Sequence, residues 1–167
     1  TEAITTFVAF TPTISVSLLL KYPLEMKALN IFNTNLPYSS IDDINILSLI
    51  EQVRKGIDFN TFLRYARKSS LSLIEWADFL HISERTMQRY LKDKKSLAPV
   101  QSEKFIEIVL LYKKGAEVFG NEPKFDLWLN TENLALGNIK PKSLFDSTFG
   151  INLLIDELTR IEHGVLA

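Results

Sequence analysis

The sequence of 167 residues contains no cysteine and only two histidines. Without cysteine it can form no disulfide framework, no thiolate zinc site and no cysteine nucleophile, and this composition leads us to expect a protein of the reducing cytoplasm. Long apolar runs are also missing, since the best candidate, residues 14–20, is followed at once by Lys21. A membrane-spanning helix needs about 20 consecutive apolar residues, so we expect no membrane span.

Sequence motifs of catalysis are absent too. The chain has no phosphate-binding glycine loop, no Gly-x-Ser-x-Gly nucleophile turn and no His/Asp/Glu cluster at metal-ligand spacing. Its six glycines are predicted to be helix stops or turns. We therefore expect a protein that is not an enzyme, with no catalytic residues, no metal site and no cofactor.

The net charge of −1 hides an uneven distribution of charge along the chain. Residues 1–45 carry −2, residues 46–98 carry +4 from ten Lys/Arg against six Asp/Glu, and residues 99–167 carry −3. A nucleic acid is a polyanion, so the middle of the chain is the part suited to binding one.

Helical spacing of apolar residues dominates from residue 46 to the end of the chain, which predicts an all-α fold. We expect a first helix that ends at Gly56, a second with Asp58 as its N-cap, and a long helix that begins at Pro99 and ends at Gly120. Short helices follow, and Phe125 and Trp128 are predicted to face inward, with Trp128 as the anchor of the C-terminal part.

Two short helices with a tight turn between them are predicted in the middle of the chain. Ser72 followed by Glu75 is a capping box that starts the first helix, and Ser83 is the N-cap of the second. His81 occupies the turn position that favours a positive φ, where histidine is enriched among non-glycine residues. The residues predicted to form the inner face of this pair are Ala77, Ile82, Met87, Tyr90 and Leu91.

The outer face of the second helix carries Arg, Gln and Lys side chains. Arginine can donate two parallel hydrogen bonds to guanine and glutamine can pair with adenine, while lysines at the end of the helix can hold phosphates. This pattern is typical of a helix-turn-helix that reads the major groove of DNA. The predicted DNA-binding residues are Ser83, Arg85, Thr86, Gln88, Arg89, Lys92, Lys94 and Lys95.

From residue 46 to its end the chain resembles the Xre-like antitoxins of RES–Xre toxin–antitoxin systems, of the Xre/MbcA/ParS kind. The resemblance covers about three quarters of the chain and depends on several short motifs in a specific order. They are LHISERTMQRYLK at residues 80–92, AEVFG at 116–120, WL at 128–129, N..LG at 133–137, the helix of Pro141 and Leu144, and RIEHG at 160–164.

The resemblance implies three regions: residues 1–45 with no assigned role, a helix-turn-helix domain at 46–120, and a toxin-binding domain at 121–167. It implies that the protein binds operator DNA of its own operon, neutralises a cognate RES toxin that consumes NAD, and forms a homodimer. After Gly164 the chain ends in three apolar residues, which we expect to insert into the toxin. The predicted toxin-binding residues are Arg160, Glu162, His163, Gly164, Val165, Leu166 and Ala167.

Three other functions stay open at this point. An enzyme would need motifs that the chain lacks. A helix-turn-helix transcriptional regulator without a toxin partner would share the middle of the chain and enclose a ligand pocket in its C-terminal third. An antitoxin that does not bind DNA is compatible with the modest charge of +4, since Glu84 and Asp93 flank the proposed reading face.

Overall fold

The computed structural model of the chain describes residues 37–41 and 43–164. Within these residues the regular structure is helical, apart from two isolated β-bridges, and the predicted all-α fold is confirmed. The seven α-helices of this part are α1 (Asp43–Lys55), α2 (Phe59–Ala66), α3 (Leu73–Phe79), α4 (Glu84–Asp93), α5 (Pro99–Phe119), α6 (Glu122–Asn130) and α7 (Thr148–Glu162).

The starts of the helices follow the predicted capping residues. The Asp58 side chain accepts a hydrogen bond from the Thr61 backbone N–H at 3.1 Å and caps α2. Ser72 and Glu75 form the full capping box at the start of α3, and Ser83 caps α4. Each cap satisfies a backbone N–H that has no partner inside its helix. Local sequence thus sets where α2, α3 and α4 begin.

Three fully buried aromatic rings hold the helix-turn-helix to the long helix α5. Phe62 of α2 and Trp76 of α3 meet Phe105 of α5, with ring centroids 5.2 to 5.6 Å apart and interplanar angles of 69 to 90°. These edge-to-face contacts add to the stabilisation that burial of the rings provides. The indole N–H of Trp76 donates to the Ser69 hydroxyl at 3.1 Å, so its burial leaves no donor unsatisfied.

The other end of α5 carries the C-terminal helices. Phe125 of α6 is fully buried against Gly115, where a Cβ atom would overlap its ring. Leu154 and Leu158 of α7 are also fully buried. Before α7, a 3₁₀ turn at Pro141–Leu144 lies so close that a Cβ on Gly150 would overlap Leu144. Gly115 and Gly150 are therefore packing residues inside helices, and the prediction that every glycine is a stop or a turn was wrong for these two.

Two predicted inward-facing residues are more exposed than expected. Trp128 is only half-buried and stacks on Phe125 at a centroid distance of 5.8 Å, so the fully buried residues of α6 are Phe125 and Leu129. Leu91 of α4 is 49% exposed. The prediction that Trp128 packs inward is confirmed by its contacts with Phe119 and with the core residue Phe125, but the ring is not fully buried. The prediction that Leu91 is an inner-face residue was wrong.

The end of the N-terminal extension contacts α5. Residues 38–40 form a 3₁₀ turn, and the Ser39 backbone N–H donates to the Glu117 carboxylate at 3.1 Å. The Lys114 ammonium lies 5.6 Å from the centroid of the Tyr38 ring, which is cation–π distance. The last part of residues 1–45 is thus attached to the long helix.

We expect Gly115→Ala to lower the free energy of unfolding by about 1–3 kcal/mol, since the new methyl group overlaps the Phe125 ring in a full core. Without the overlap, alanine would stabilise the helix by about 1 kcal/mol relative to glycine. A loss of stability therefore indicates the overlap, and a gain would indicate its absence. Urea unfolding of Gly115→Ala, Phe125→Leu and the double variant measures the coupling. Strictly additive effects would contradict the contact, because a smaller side chain at 125 should relieve the overlap.

Candidate functional site

The predicted helix-turn-helix lies in α3, the turn after it and α4. Ala77 and Met87 are buried on the inner side of the pair, as predicted, and Tyr90 is half-buried. His81 has a φ of 52°, which confirms the predicted left-handed turn. The turn lets α3 and α4 pack at a steep angle and leaves one side of α4 in solvent.

The solvent face of α4 collects the predicted base-reading side chains. Arg85, Gln88, Arg89 and Lys92 are exposed, and their spacing of three and four residues places them in one stripe along the helix. Together with Thr86 and Asp93 they line one shallow surface concavity. The structure therefore brings together five of the eight predicted DNA-binding residues in one place.

The cations of this face form no ion pair with any other residue that the structure describes. Within the described residues, Arg85, Arg89 and Lys92 take part in no ion pair. Among the described residues, no carboxylate lies within ion-pair distance of these three cations, which are exposed on one face of the helix. A surface of this kind attracts phosphates and can donate hydrogen bonds to base edges.

The remaining predicted DNA-binding residues lie at the two ends of α4. The Ser83 hydroxyl accepts from the Thr86 backbone N–H at 3.1 Å and lies 2.9 Å from the Thr86 hydroxyl, so both side chains hold the helix start. Lys94 is exposed and ends the helix with a φ of 48°. Lys95 lies 3.6 Å from Asp93 in an exposed ion pair, which contributes little to stability.

Sequence reasoning did not single out a second basic group, at the C-terminal end of α2 and just after it. Arg64, Arg67 and Lys68 are exposed, and they line a surface concavity that Leu91 of α4 also borders. The sequence did contain an indication of this group, because the three basic residues are three and one positions apart at the end of a helix with a predicted N-cap. They form a second exposed basic group, separate from the stripe on α4.

The charged residues predicted to contact a toxin are paired within the chain. The Arg160 guanidinium lies 2.9 Å from the Glu157 carboxylate, which is almost fully buried. Glu162 pairs with Lys114 of α5, and the hydrogen bond from Lys114 holds the pKa of Glu162 below its ordinary value. The Lys114–Glu162 pair joins the end of α7 to α5, while the Arg160–Glu157 pair links successive turns of α7 itself. His163 and Gly164 are exposed at the helix end, and Val165, Leu166 and Ala167 lie outside the described residues.

The segment before α7 contacts the helix-turn-helix directly. The Lys142 ammonium pairs with Glu75 of α3, and the Phe145 ring lies 5.3 Å from that of Phe79. The His81 imidazole donates from Nε2 to the backbone carbonyl of Asp146 at 3.0 Å. An ion pair, a ring contact and a hydrogen bond thus join the turn of the helix-turn-helix to the C-terminal part.

Neither a membrane helix nor a metal cluster is found in the described part of the chain. None of its helices is both long and apolar enough to cross a bilayer. Nor do these residues gather three potential His, Asp or Glu ligands around one point.

Comparison with known proteins gives two adjoining family matches. The model of the antitoxin Xre-like helix-turn-helix domain matches residues 48–109, and that of the antitoxin Xre/MbcA/ParS C-terminal toxin-binding domain matches residues 114–164. The first range ends, and the second begins, inside α5. A curated protein named antitoxin Xre, from Yersinia enterocolitica, is 23% identical over 120 residues, which cover 71% of this chain and 81% of that protein.

The positive φ of His81 generates a stability prediction. Both His81→Ala and His81→Gly remove the hydrogen bond to Asp146, but only alanine must also hold a left-handed backbone, at a cost of about 1–2 kcal/mol. We expect the alanine variant to be less stable than the glycine variant by about 1 kcal/mol in urea unfolding. Equal stabilities would show that the turn relaxes to another conformation.

Proposed function

Because the chain belongs to the Xre/MbcA/ParS type of antitoxins, we propose that it binds and neutralises a RES-domain toxin that consumes NAD, and that it represses its own operon by binding operator DNA. The observation that carries the DNA-binding half is the stripe of uncompensated cations on α4. Residues 46–120 are the proposed DNA-binding domain and residues 121–167 the proposed toxin-binding domain. The protein acts in the cytoplasm by occupying surfaces, without a catalytic step of its own.

In the proposed complex with DNA, α4 lies in the major groove, which is about 12 Å wide and admits one helix. Arg85 and Arg89 donate to guanine and Gln88 pairs with adenine. Lys92, Lys94 and the α2 group of Arg64, Arg67 and Lys68 contact phosphates, which fixes the position of the helix but carries no sequence information. Two copies related by a two-fold axis would then read a palindromic operator.

In the proposed complex with the toxin, the end of α7 and the residues after it reach the toxin's NAD pocket. The pairs Arg160–Glu157 and Glu162–Lys114 support a positioning role for the two charged residues. Glu162–Lys114 ties the end of α7 to α5 and Arg160–Glu157 stabilises the last turns of α7, so that the chain leaves the helix at His163 and Gly164 in a fixed direction. The apolar residues Val165, Leu166 and Ala167 are proposed to insert and exclude NAD by steric overlap.

We expect Arg89→Ala to weaken specific operator binding by about 1–3 kcal/mol, since one bidentate base contact is lost from an exposed helix whose fold does not need it. Binding is measured by titration of the operator at several salt concentrations. Lys124→Ala removes one exposed charge from α6 and serves as the control, with operator affinity unchanged. If Arg85→Ala, Gln88→Ala and Arg89→Ala all bind like the parent, α4 is not the reading helix.

We expect deletion of residues 164–167 to abolish protection against the toxin while the operator is still bound. Toxin binding and cellular NAD are measured in cells that make this chain together with the product of the neighbouring reading frame. Full protection of NAD by the shortened chain would place the inhibitory surface elsewhere in residues 121–163. A neighbouring product that is harmless when made alone would instead favour a regulator without a toxin partner.

A further inference from the structure

The last helix, α7, presents one face that the rest of the described chain leaves uncovered. Its opposite face buries Ile151, Leu154 and Leu158 in the core. Apart from Thr148 and Glu162, the exposed residues of this helix and its C-cap are at helical spacing and form a single stripe along one face. They are Phe149, Asn152, Leu153, Asp156, Arg160 and His163.

The N-terminal half of this stripe is apolar. The Phe149 side chain is 89% exposed and Leu153, one turn further along, is 42% exposed. Apolar side chains at positions i and i+4 of a helix are neighbours, so the two form one continuous apolar surface. A phenyl ring in water next to a second apolar side chain is typical of a surface that a partner covers.

Phe149 is held in this position by its surroundings. The Ser147 hydroxyl caps the first turn of α7 through the Gly150 backbone N–H at 3.0 Å. The Thr148 hydroxyl contacts Lys104 and Glu107 of α5, each at 3.2 Å. Gly150 packs against Leu144. These contacts fix the first turn of α7, so the backbone that carries the Phe149 ring does not have to be ordered when a partner binds.

We propose that this face of α7 is the toxin-binding surface, with Phe149 and Leu153 as its apolar anchor. The assignment of the partner rests on the proposed function and on two observations. The family match to a toxin-binding domain spans the whole helix. The stripe also runs without interruption from Phe149 to His163, at the end of the helix from which the proposed inhibitory tail continues.

The geometry sets a requirement for the toxin. With a rise of 1.5 Å per residue, Phe149 stands about 21 Å along the helix axis from His163. The toxin must therefore have an apolar pocket for the phenyl ring. That pocket must be separated from the one that receives the end of the chain by the distance between Phe149 and His163. Asp156 and Arg160 lie between the two and face the polar rim of such an interface. The anchor provides affinity, and the tail excludes the substrate.

The test compares Phe149→Gln and Leu153→Gln with the control Leu127→Gln in the full chain. Leu127 of α6 is 70% exposed and belongs to the same toxin-binding region, but it does not lie on α7. Glutamine is a good helix former at all three sites, so the folds should be kept. Melting temperature and operator affinity of each variant verify this. The probe is the product of the neighbouring reading frame, purified as an inactive variant.

We expect Phe149→Gln to weaken toxin binding about thirty-fold or more and Leu153→Gln to weaken it less, with Leu127→Gln like the parent. If the parent binds the toxin and Phe149→Gln binds equally well, the inference is overturned while the proposed function stands. The same holds if Leu127→Gln is the variant that loses binding. A parent that does not bind the toxin would overturn both.

Discussion

Phe105 of α5 packs edge-to-face against Phe62 and Trp76, and this contact between three fully buried rings fixes α2 and α3 to the long helix. Since α4 is short and only Met87 among its residues is buried, it has little core of its own. A short helix is marginal in water without tertiary packing. The position of the exposed Arg, Gln and Lys side chains of α4 therefore depends on how firmly the aromatic cluster holds the neighbouring helices.

The same helix α5 also carries the C-terminal region, through Gly115 with Phe125 and through Lys114 with Glu162. The Lys142–Glu75 pair and the contacts of Phe145 and Asp146 add a second connection to the helix-turn-helix. The boundary between the two family matches falls inside the continuous helix α5, and not in a linker. The proposed DNA-binding surface and the proposed toxin-binding surface are placed relative to each other by packed side chains.

The two candidate surfaces differ in how their charges are used. On α4, Arg85, Arg89 and Lys92 form no ion pair within the described chain, which leaves them to a polyanionic partner. On α7, Arg160 and Glu162 are paired internally, and the exposed stripe offers Phe149 and Leu153 instead. Long-range electrostatic attraction thus suits the surface on α4, while the surface on α7 suits a partner that binds by apolar contact and complementary shape.

The sequence by itself determined the all-α class, the capped starts of α2, α3 and α4, and the left-handed turn at His81, because these depend on residues within one or two helical turns. The DNA-reading stripe also follows from local spacing, although its contacts with DNA stay a prediction. Only the tertiary structure decided that Gly115 and Gly150 are packing residues, that Trp128 is half-buried, and that Phe149 faces solvent. Each of these depends on a neighbour distant in the chain, and periodicity within one helix does not reveal which of its faces that neighbour covers.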